Sequence, residues 1–96
     1  VVVVESTKVS EKVPAIAQTY SAGAVCLALL NAALASGWGA NWLSGWASFD
    51  RAFIRDGFGL ADHECVAGIL HIGTETVAAP ERPRPDVDAI TQWMRG

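Results

Sequence analysis

The feature that most constrains this chain is a segment with almost no polar side chains. Between Ala22 and Ala35 the only polar one is Asn31. Pro14 suits the first turn of a helix, where its missing N–H costs nothing, so we expect a helix over residues 14–36. Gly37 can adopt the left-handed conformation that ends a helix. A helix that is apolar all round is buried on all sides.

The chain is too short to cover such a helix by itself. It has 96 residues, 51% of them hydrophobic, which exceeds the needs of an ordinary small domain. We therefore expect a second subunit or further sequence to pack on the helix. Fourteen apolar residues are too few to cross a bilayer, which takes about 20, so no membrane partner is expected.

Charge and cysteine usage exclude several classes of protein. The net charge is −3 and the five arginines are scattered, so no basic stripe is present for nucleic acid. We expect Cys26 and Cys65 to be buried, reduced thiols, which fits a cytoplasmic location. His63, Glu64 and Cys65 match no zinc spacing, and His71 is interpreted as a histidine in or near the core. No metal site is expected.

Apolar β-branched runs predict two buried strands. Residues 1–7 (VVVVEST) are expected to form a strand in the centre of a sheet, and residues 63–74 a second strand buried on both faces. The first residue is not Met, and the opening valine run has no basic region or cleavage site, so it is not itself read as a signal peptide. The expectation is a chain that begins partway through a longer protein.

The remaining elements are shorter. A strand or extended segment is predicted at 40–45. A helix should follow, with Ser48 as its N-cap, Asp50 in its first turn and Gly57 at its end. Three prolines favour an extended segment at 79–86, followed by a short helix capped by Asp86. The division expected is a core over 1–78 and an extended arm over 79–96.

Three of the four tryptophans lie in the uncharged segment GWGANWLSGW, residues 37–46. One interpretation is a turn whose indoles fill the core. The other is a binding site for a flat aromatic cofactor, because glycine lets a ring approach the backbone and aromatic side chains supply a planar wall. The segment holds no cation for a phosphate, and no catalytic triad or phosphate-binding motif occurs elsewhere.

Three stretches resemble the small FMN-dependent nitroreductases, in particular the C-terminal half of the minimal bacterial members. They are SAGAVCLALLNAALASGWGANWLSG, FDRAFIRDGFGLADHECVAGILHIGT and PERPRP. The resemblance implies an α+β fold with a central mixed or antiparallel sheet flanked by helices. It also implies a homodimer with FMN at each subunit interface. In such proteins hydride passes from NAD(P)H through flavin N5 to a nitroaromatic or quinone acceptor.

The resemblance also implies site residues. Those that correspond to FMN contacts are Trp42, Leu43 and Ser44, and those near the nicotinamide nucleotide are Ala32, Ala33, Leu34, Ala35, Ser36 and Gly37. Relatives commonly carry Arg where Leu43 stands, and residues 37–50 contain no Lys or Arg. The phosphate would then need basic residues elsewhere, such as an Arg-rich motif near the N-terminus of relatives. A non-catalytic oligomerising or ligand-binding domain of the same fold is the alternative.

Overall fold

A computed structural model describes residues 1–96 as three strands and three helices. In chain order they are β1 (Val2–Ser6), α1 (Ala15–Ala35), β2 (Gly39–Leu43), α2 (Trp46–Phe49), α3 (Arg51–Phe58) and β3 (Glu64–Gly73). The strands form one antiparallel sheet in the order β1-β3-β2. The expected α+β class with an antiparallel sheet is confirmed.

The central strand of this sheet is β3, not β1. The ten residues of β3 are enough to pair with β1 on one side and with β2 on the other. The expectation that the N-terminal valine run is central was therefore wrong for these residues, since β1 lies at an edge and its valines are half-buried. The register shifts between Val3 and Val4, so Ala67 of β3 has no partner and forms a bulge.

Burial along β3 decreases toward its end. Val66, Gly68 and Leu70 are buried, and the alternate residue Ile69 is half-buried. The strand is thus covered on both faces only in its middle, over residues 66–70. His71 is exposed, so its interpretation as a histidine in or near the core was wrong: neighbouring elements cover the middle of the strand and leave the last residues open.

Helix α1 packs on the sheet with one side only. Cys26 is fully buried and Ala33 is 7% exposed, and they are the two buried residues of this 21-residue helix. Large apolar side chains elsewhere on α1 are exposed: Ile16, Tyr20, Val25, Leu27 and Leu34. By length and composition α1 could also cross a membrane, a weak indication because core helices of soluble proteins meet the same criterion.

The helix ends as its sequence predicts. Gly37 has φ +87°. Its N–H donates to the Leu34 carbonyl at 3.1 Å, and the Trp38 N–H donates to the Ala33 carbonyl at 3.1 Å. These two bonds form a Schellman motif, which turns the chain directly from α1 into β2.

Two short helices replace the one predicted after β2. Asp50, not Ser48, caps the longer helix α3, because its carboxylate accepts the Phe53 N–H at 2.8 Å. Ser48 lies inside α2 and is buried, and its hydroxyl has no protein partner. The end of α3 is also later than predicted: the left-handed cap is Gly59, at φ +70°, not Gly57.

Residues 79–96 form no helix or strand and are exposed. The predicted C-terminal helix is a turn. Asp86 does cap it, with its carboxylate accepting the Asp88 N–H at 3.2 Å and the Ala89 N–H at 3.4 Å. A helix this short is marginal without packing, and Ile90 and Trp93 remain exposed.

Candidate functional site

The tryptophan-rich segment is built around an edge strand. β2 pairs with β3 on one side only, so the outer backbone groups of its five residues make no strand–strand hydrogen bonds. Ser44 follows the strand and is exposed. An uncharged edge with free N–H and C=O groups is suited to hydrogen-bond the rim of a flat ligand.

Trp42 lies on the face of the sheet that α1 covers. A Cβ placed on Gly68 would lie 2.3 Å from Trp42 Nε1 and 2.9 Å from Cys26 Sγ. The indole therefore packs directly over the backbone of Gly68, and Trp42 remains 37% exposed. Its side chain belongs partly to the sheet–helix packing, and a ligand would meet its backbone and its outer part.

Leu43 lies on the opposite face of the sheet from Trp42. Trp42 pairs with Leu70 and Leu43 with Ile69, and successive strand residues point to opposite faces. Leu43 is exposed. The residues implied as FMN contacts thus present one side chain to each face, with Ser44 beyond the strand end.

The residues implied for the nicotinamide nucleotide form the last turn and cap of α1. Ala33 is buried and the others are exposed, and the Ser36 hydroxyl donates to the Ala32 carbonyl at 2.8 Å. Leu34 lines an open cleft of about 500 Å³ that lies beside the start of β2 and the end of β3. Asn41, His71 and Glu75 also line this cleft. That volume is within the range of small-molecule sites.

The chain does not bring the two implied sets together in one cleft. Gly37 precedes β2 and Ser44 follows it, and a five-residue strand is about 16 Å long. Trp42, Leu43 and Ser44 line none of the three clefts. Trp38 and Trp46 are separated in the same way, one at each end of β2.

Aromatic rings cluster at the far end of β2. Trp46 and Phe53 have ring centroids 4.8 Å apart, and Phe53 and Phe58 have theirs 5.0 Å apart, both edge-to-face. Trp46 is nevertheless 70% exposed, and Phe49 is 72% exposed. This end of the segment therefore offers aromatic surface to solvent.

The cations have other partners or lie outside the segment. Arg51 is exposed and donates to the carbonyls of Ala61, Asp62 and Glu64 at 3.0–3.2 Å. Arg55 pairs with its neighbour Asp56 at 2.7 Å, and this bond raises the pKa of Arg55 and lowers that of Asp56. Arg84 pairs with Glu81, also at 2.7 Å, whereas Arg82 has no carboxylate partner.

The two cysteines differ in exposure. Cys26 is buried and Cys65 is exposed, so the expectation that both are buried was wrong for Cys65. Burial raises the pKa of the Cys26 thiol and keeps it protonated. No group of three His, Cys, Asp or Glu side chains is placed to hold a metal ion.

Two structural residues were missed in the sequence. Gly68 lies inside an apolar strand, a position that often marks the close approach of another group, and this signal was available. Arg51 carried no comparable signal, because the three carbonyls it binds lie 10–13 residues further along the chain.

The fold and the comparisons define a nitroreductase-type chain. A family model described as the Nitroreductase family matches residues 1–74, and the protein belongs to that family. This chain is 34% identical over 79 residues to the protein YdjA of Escherichia coli, in strain K12 and in strain O157:H7. The name of YdjA describes it, by inference, as an NAD(P)H nitroreductase. The match covers 82% of this chain and 43% of YdjA.

A solved structure shares the fold. The crystal structure of a nitroreductase-like family protein from Bacillus cereus superposes with a TM-score of 0.77 at 23% identity, over 96% of this chain and 48% of the other. The chain thus spans about half the length of the proteins it matches.

Proposed function

We propose that this chain is the C-terminal part of an FMN-dependent oxidoreductase that transfers hydride from NADH or NADPH to nitroaromatic or quinone-type acceptors. The observation that carries the proposal is the family match over residues 1–74. It includes all three strands, so the elements around the tryptophan-rich segment are those of the family.

The residues of the segment fit the ring of FMN. The isoalloxazine ring is flat and largely apolar, with hydrogen-bonding groups along one rim. Residues 37–49 carry no ionisable side chain, and β2 has a free backbone edge. We infer that the backbone of Trp42, Leu43 and Ser44 bonds the rim of the ring.

The same residues do not fit the phosphate of FMN. A dianion requires charged donors, and residues 37–50 contain none. Within this chain Arg82 is free of carboxylates and follows the cleft residue Ala79 by three positions. We propose that Arg82, with basic residues outside this chain, supplies the countercharge.

Bound flavin would supply the redox chemistry by accepting hydride from the nicotinamide and passing two electrons to the acceptor. For a nitro group, two electrons and two protons give the nitroso product and one water. The chain's own residues would position the nicotinamide nucleotide and shield it from water. The last turn of α1, Ala32 to Gly37, would lie along this nucleotide. No acid–base pair is required of them.

We further propose a cytoplasmic homodimer in which the exposed side of α1 lies in the subunit interface. The apolar residues along that side support this, because large exposed apolar patches mark interaction surfaces. The rival function, a non-catalytic oligomerising or ligand-binding domain, is favoured by one observation, Leu43 in the position where relatives commonly carry Arg.

The spectrum and turnover of the full-length protein test the proposal. Purified protein should be yellow, should release FMN on denaturation, and should oxidise NADH or NADPH when given a nitroaromatic or a quinone. A colourless protein that takes up no FMN on reconstitution would favour the non-catalytic alternative. Comparing NADH with NADPH, and the nitroaromatic with the quinone, identifies the donor and the acceptor class.

A further inference from the structure

The largest of the three clefts lies at the end of β2 that is remote from Ser44. It measures about 500 Å³ and is bounded by the last turn of α1, the start of β2, the end of β3 and residues 74–79. It combines apolar residues such as Leu34 and Ile72 with polar side chains. We call it the β2–β3 cleft, and its size suits a small molecule.

Glu75 forms a charged wall of the β2–β3 cleft. It is the only acidic residue that lines the cleft, and no Lys or Arg of this chain lines it. Glu75 is held close to β2, because a Cβ placed on Gly39 would lie 3.2 Å from Glu75 Cβ. One carboxylate oxygen accepts the Ala79 N–H at 3.2 Å, which leaves the other oxygen open to a ligand.

The polar lining distinguishes this cleft from a surface that another part of the protein would cover. A carboxylate without a cation is costly to bury against protein. Asn41 and His71 are cross-strand partners and are exposed, so they lie on one face with Cβ atoms within about 5.5 Å. A carboxylate, an amide and an imidazole in one open cleft fit a ligand that carries hydroxyl groups.

The distance from the flavin residues decides which end of the electron donor the cleft receives. Ser44 lies four residues beyond Ala40, about 13 Å along the strand. Hydride transfer brings the nicotinamide ring to about 3.5 Å from the flavin, so that ring belongs beside Trp42 and Ser44. The adenosine is at the opposite end of the dinucleotide. Leu34 belongs to the turn of α1 proposed to lie along the nucleotide and also lines the cleft, which therefore receives the adenosine.

The charge of the cleft discriminates between the two donors. NADH has a free 2′-hydroxyl on its adenosine ribose, and this hydroxyl donates a hydrogen bond to a carboxylate. NADPH has a phosphate at that position, which a carboxylate repels and an arginine accommodates. Arg82 does not line the cleft, so this chain places no cation there for the 2′-phosphate.

We propose that the β2–β3 cleft binds the adenosine of the dinucleotide, and that Glu75 selects NADH over NADPH by accepting a hydrogen bond from the ribose 2′-hydroxyl. This inference rests on the proposed function, which leaves the donor open. The other possible occupant is a part of the protein outside this chain, and the experiment below distinguishes it.

The test uses the full-length, FMN-loaded protein. ADP-ribose and its 2′-phosphate lack the nicotinamide ring and cannot transfer hydride, so calorimetry measures their Kd on the oxidised protein. Turnover with a quinone gives kcat/KM for NADH and NADPH. The wild type should prefer ADP-ribose and NADH by about tenfold or more. Glu75→Gln should reduce both preferences about three- to tenfold, and Glu75→Arg should reverse them.

Glu11→Gln is the matched control. It makes the same change at an exposed residue that precedes α1 and lines none of the clefts, so both preferences should keep their wild-type values. Thermal unfolding records the stability of each variant. Because Glu75 is exposed, its substitution should leave the fold intact.

The outcomes separate the inference from the function beneath it. An active wild type that prefers NADPH overturns the inference alone, and so do Glu75 variants with unchanged preferences. Active protein that binds neither fragment, with Glu75 variants altered only in stability, also overturns it and assigns the cleft to the rest of the protein. Protein without flavin and without turnover overturns the proposed function and the inference together.

Discussion

At the scale of single residues, the absence of a side chain at Gly68 determines how closely Trp42 and α1 approach the sheet. Gly68→Ala would put a methyl group 2.3 Å from Trp42 Nε1 and 2.9 Å from Cys26 Sγ, so the indole or the helix must shift. We expect a loss of about 1–3 kcal/mol in the free energy of unfolding, measured by urea denaturation. Gly73→Ala is the matched control, because it lies in the same strand and its Cβ would meet nothing within 4 Å. Equal stability of the two variants would contradict the packing described.

Arg51 closes the connection between α3 and β3. Its guanidinium donates to three backbone carbonyls, those of Ala61, Asp62 and Glu64. Arg51→Ala should lower the free energy of unfolding by on the order of 1 kcal/mol and increase proteolysis between residues 59 and 64. Arg55→Ala serves as the control, because its exposed pair with Asp56 should contribute little. An equal effect of both substitutions would refute the role of Arg51.

The two thiols should differ in reactivity. The thiolate attacks iodoacetamide and displaces iodide, so exposed Cys65 should be alkylated in the native protein and buried Cys26 only after unfolding, as read by peptide mass mapping. Because burial raises the folded-state pKa of Cys26 above 9.0, the unfolded chain loses this proton first. The contribution of Cys26 to the free energy of unfolding is therefore complete below pH 9, and it declines as the pH rises through the folded-state pKa. Labelling of Cys26 at the rate of Cys65 would show that the helix does not cover it.

At the scale of elements, α1 carries a continuous apolar stripe. At 100° per residue, Ile16, Tyr20, Leu27 and Leu34 fall within about 40° of one another, and all four are exposed. If the stripe lies in a subunit interface, Leu27→Glu should convert the full-length protein toward monomer, because a carboxylate is costly to bury. Light scattering measures this. Val9→Glu, on the loop before the helix, should leave the oligomeric state unchanged, and a Leu27→Glu dimer as stable as the wild type would place the interface elsewhere.

Local signals explain which elements the sequence predicts well. The end of α1 follows from Gly37 alone, because the left-handed conformation and its hydrogen bonds are local. The cap of α3 was assigned to Ser48 and not to Asp50, since both residue types accept backbone N–H groups and only tertiary packing turns Ser48 inward. The edge position of β1 could not be predicted, because strand order depends on pairing with residues 64–69.

At the scale of the whole molecule, the chain is more open than its mass predicts. Its surface is 7731 Å², against about 5,300 Å² for a compact protein of 10.1 kDa. Its radius of gyration is 16.9 Å, against about 12.5 Å for 96 residues. The excess surface is of the size that obligate interfaces bury, which supports the expectation from composition that more protein covers this chain.

The candidate site was only partly accessible from sequence. The position of the tryptophan-rich segment beside the end of α1 follows from chain order. Its division into two ends by β2 does not, since it required knowing that residues 39–43 are extended and paired with β3. The identity of the FMN and nucleotide contacts stays a prediction that rests on the resemblance.

The Schellman turn at Gly37 has a mechanical consequence. The Trp38 N–H is bonded to Ala33 in the helix, and β2 begins at the next residue. No flexible residue therefore separates the helix from the strand. A cofactor that immobilises β2 should also reduce the motion of the C-terminal turn of α1. Amide exchange in the last turn of α1 should slow when FMN is added to apoprotein, although the flavin-contacting residues lie a strand's length away.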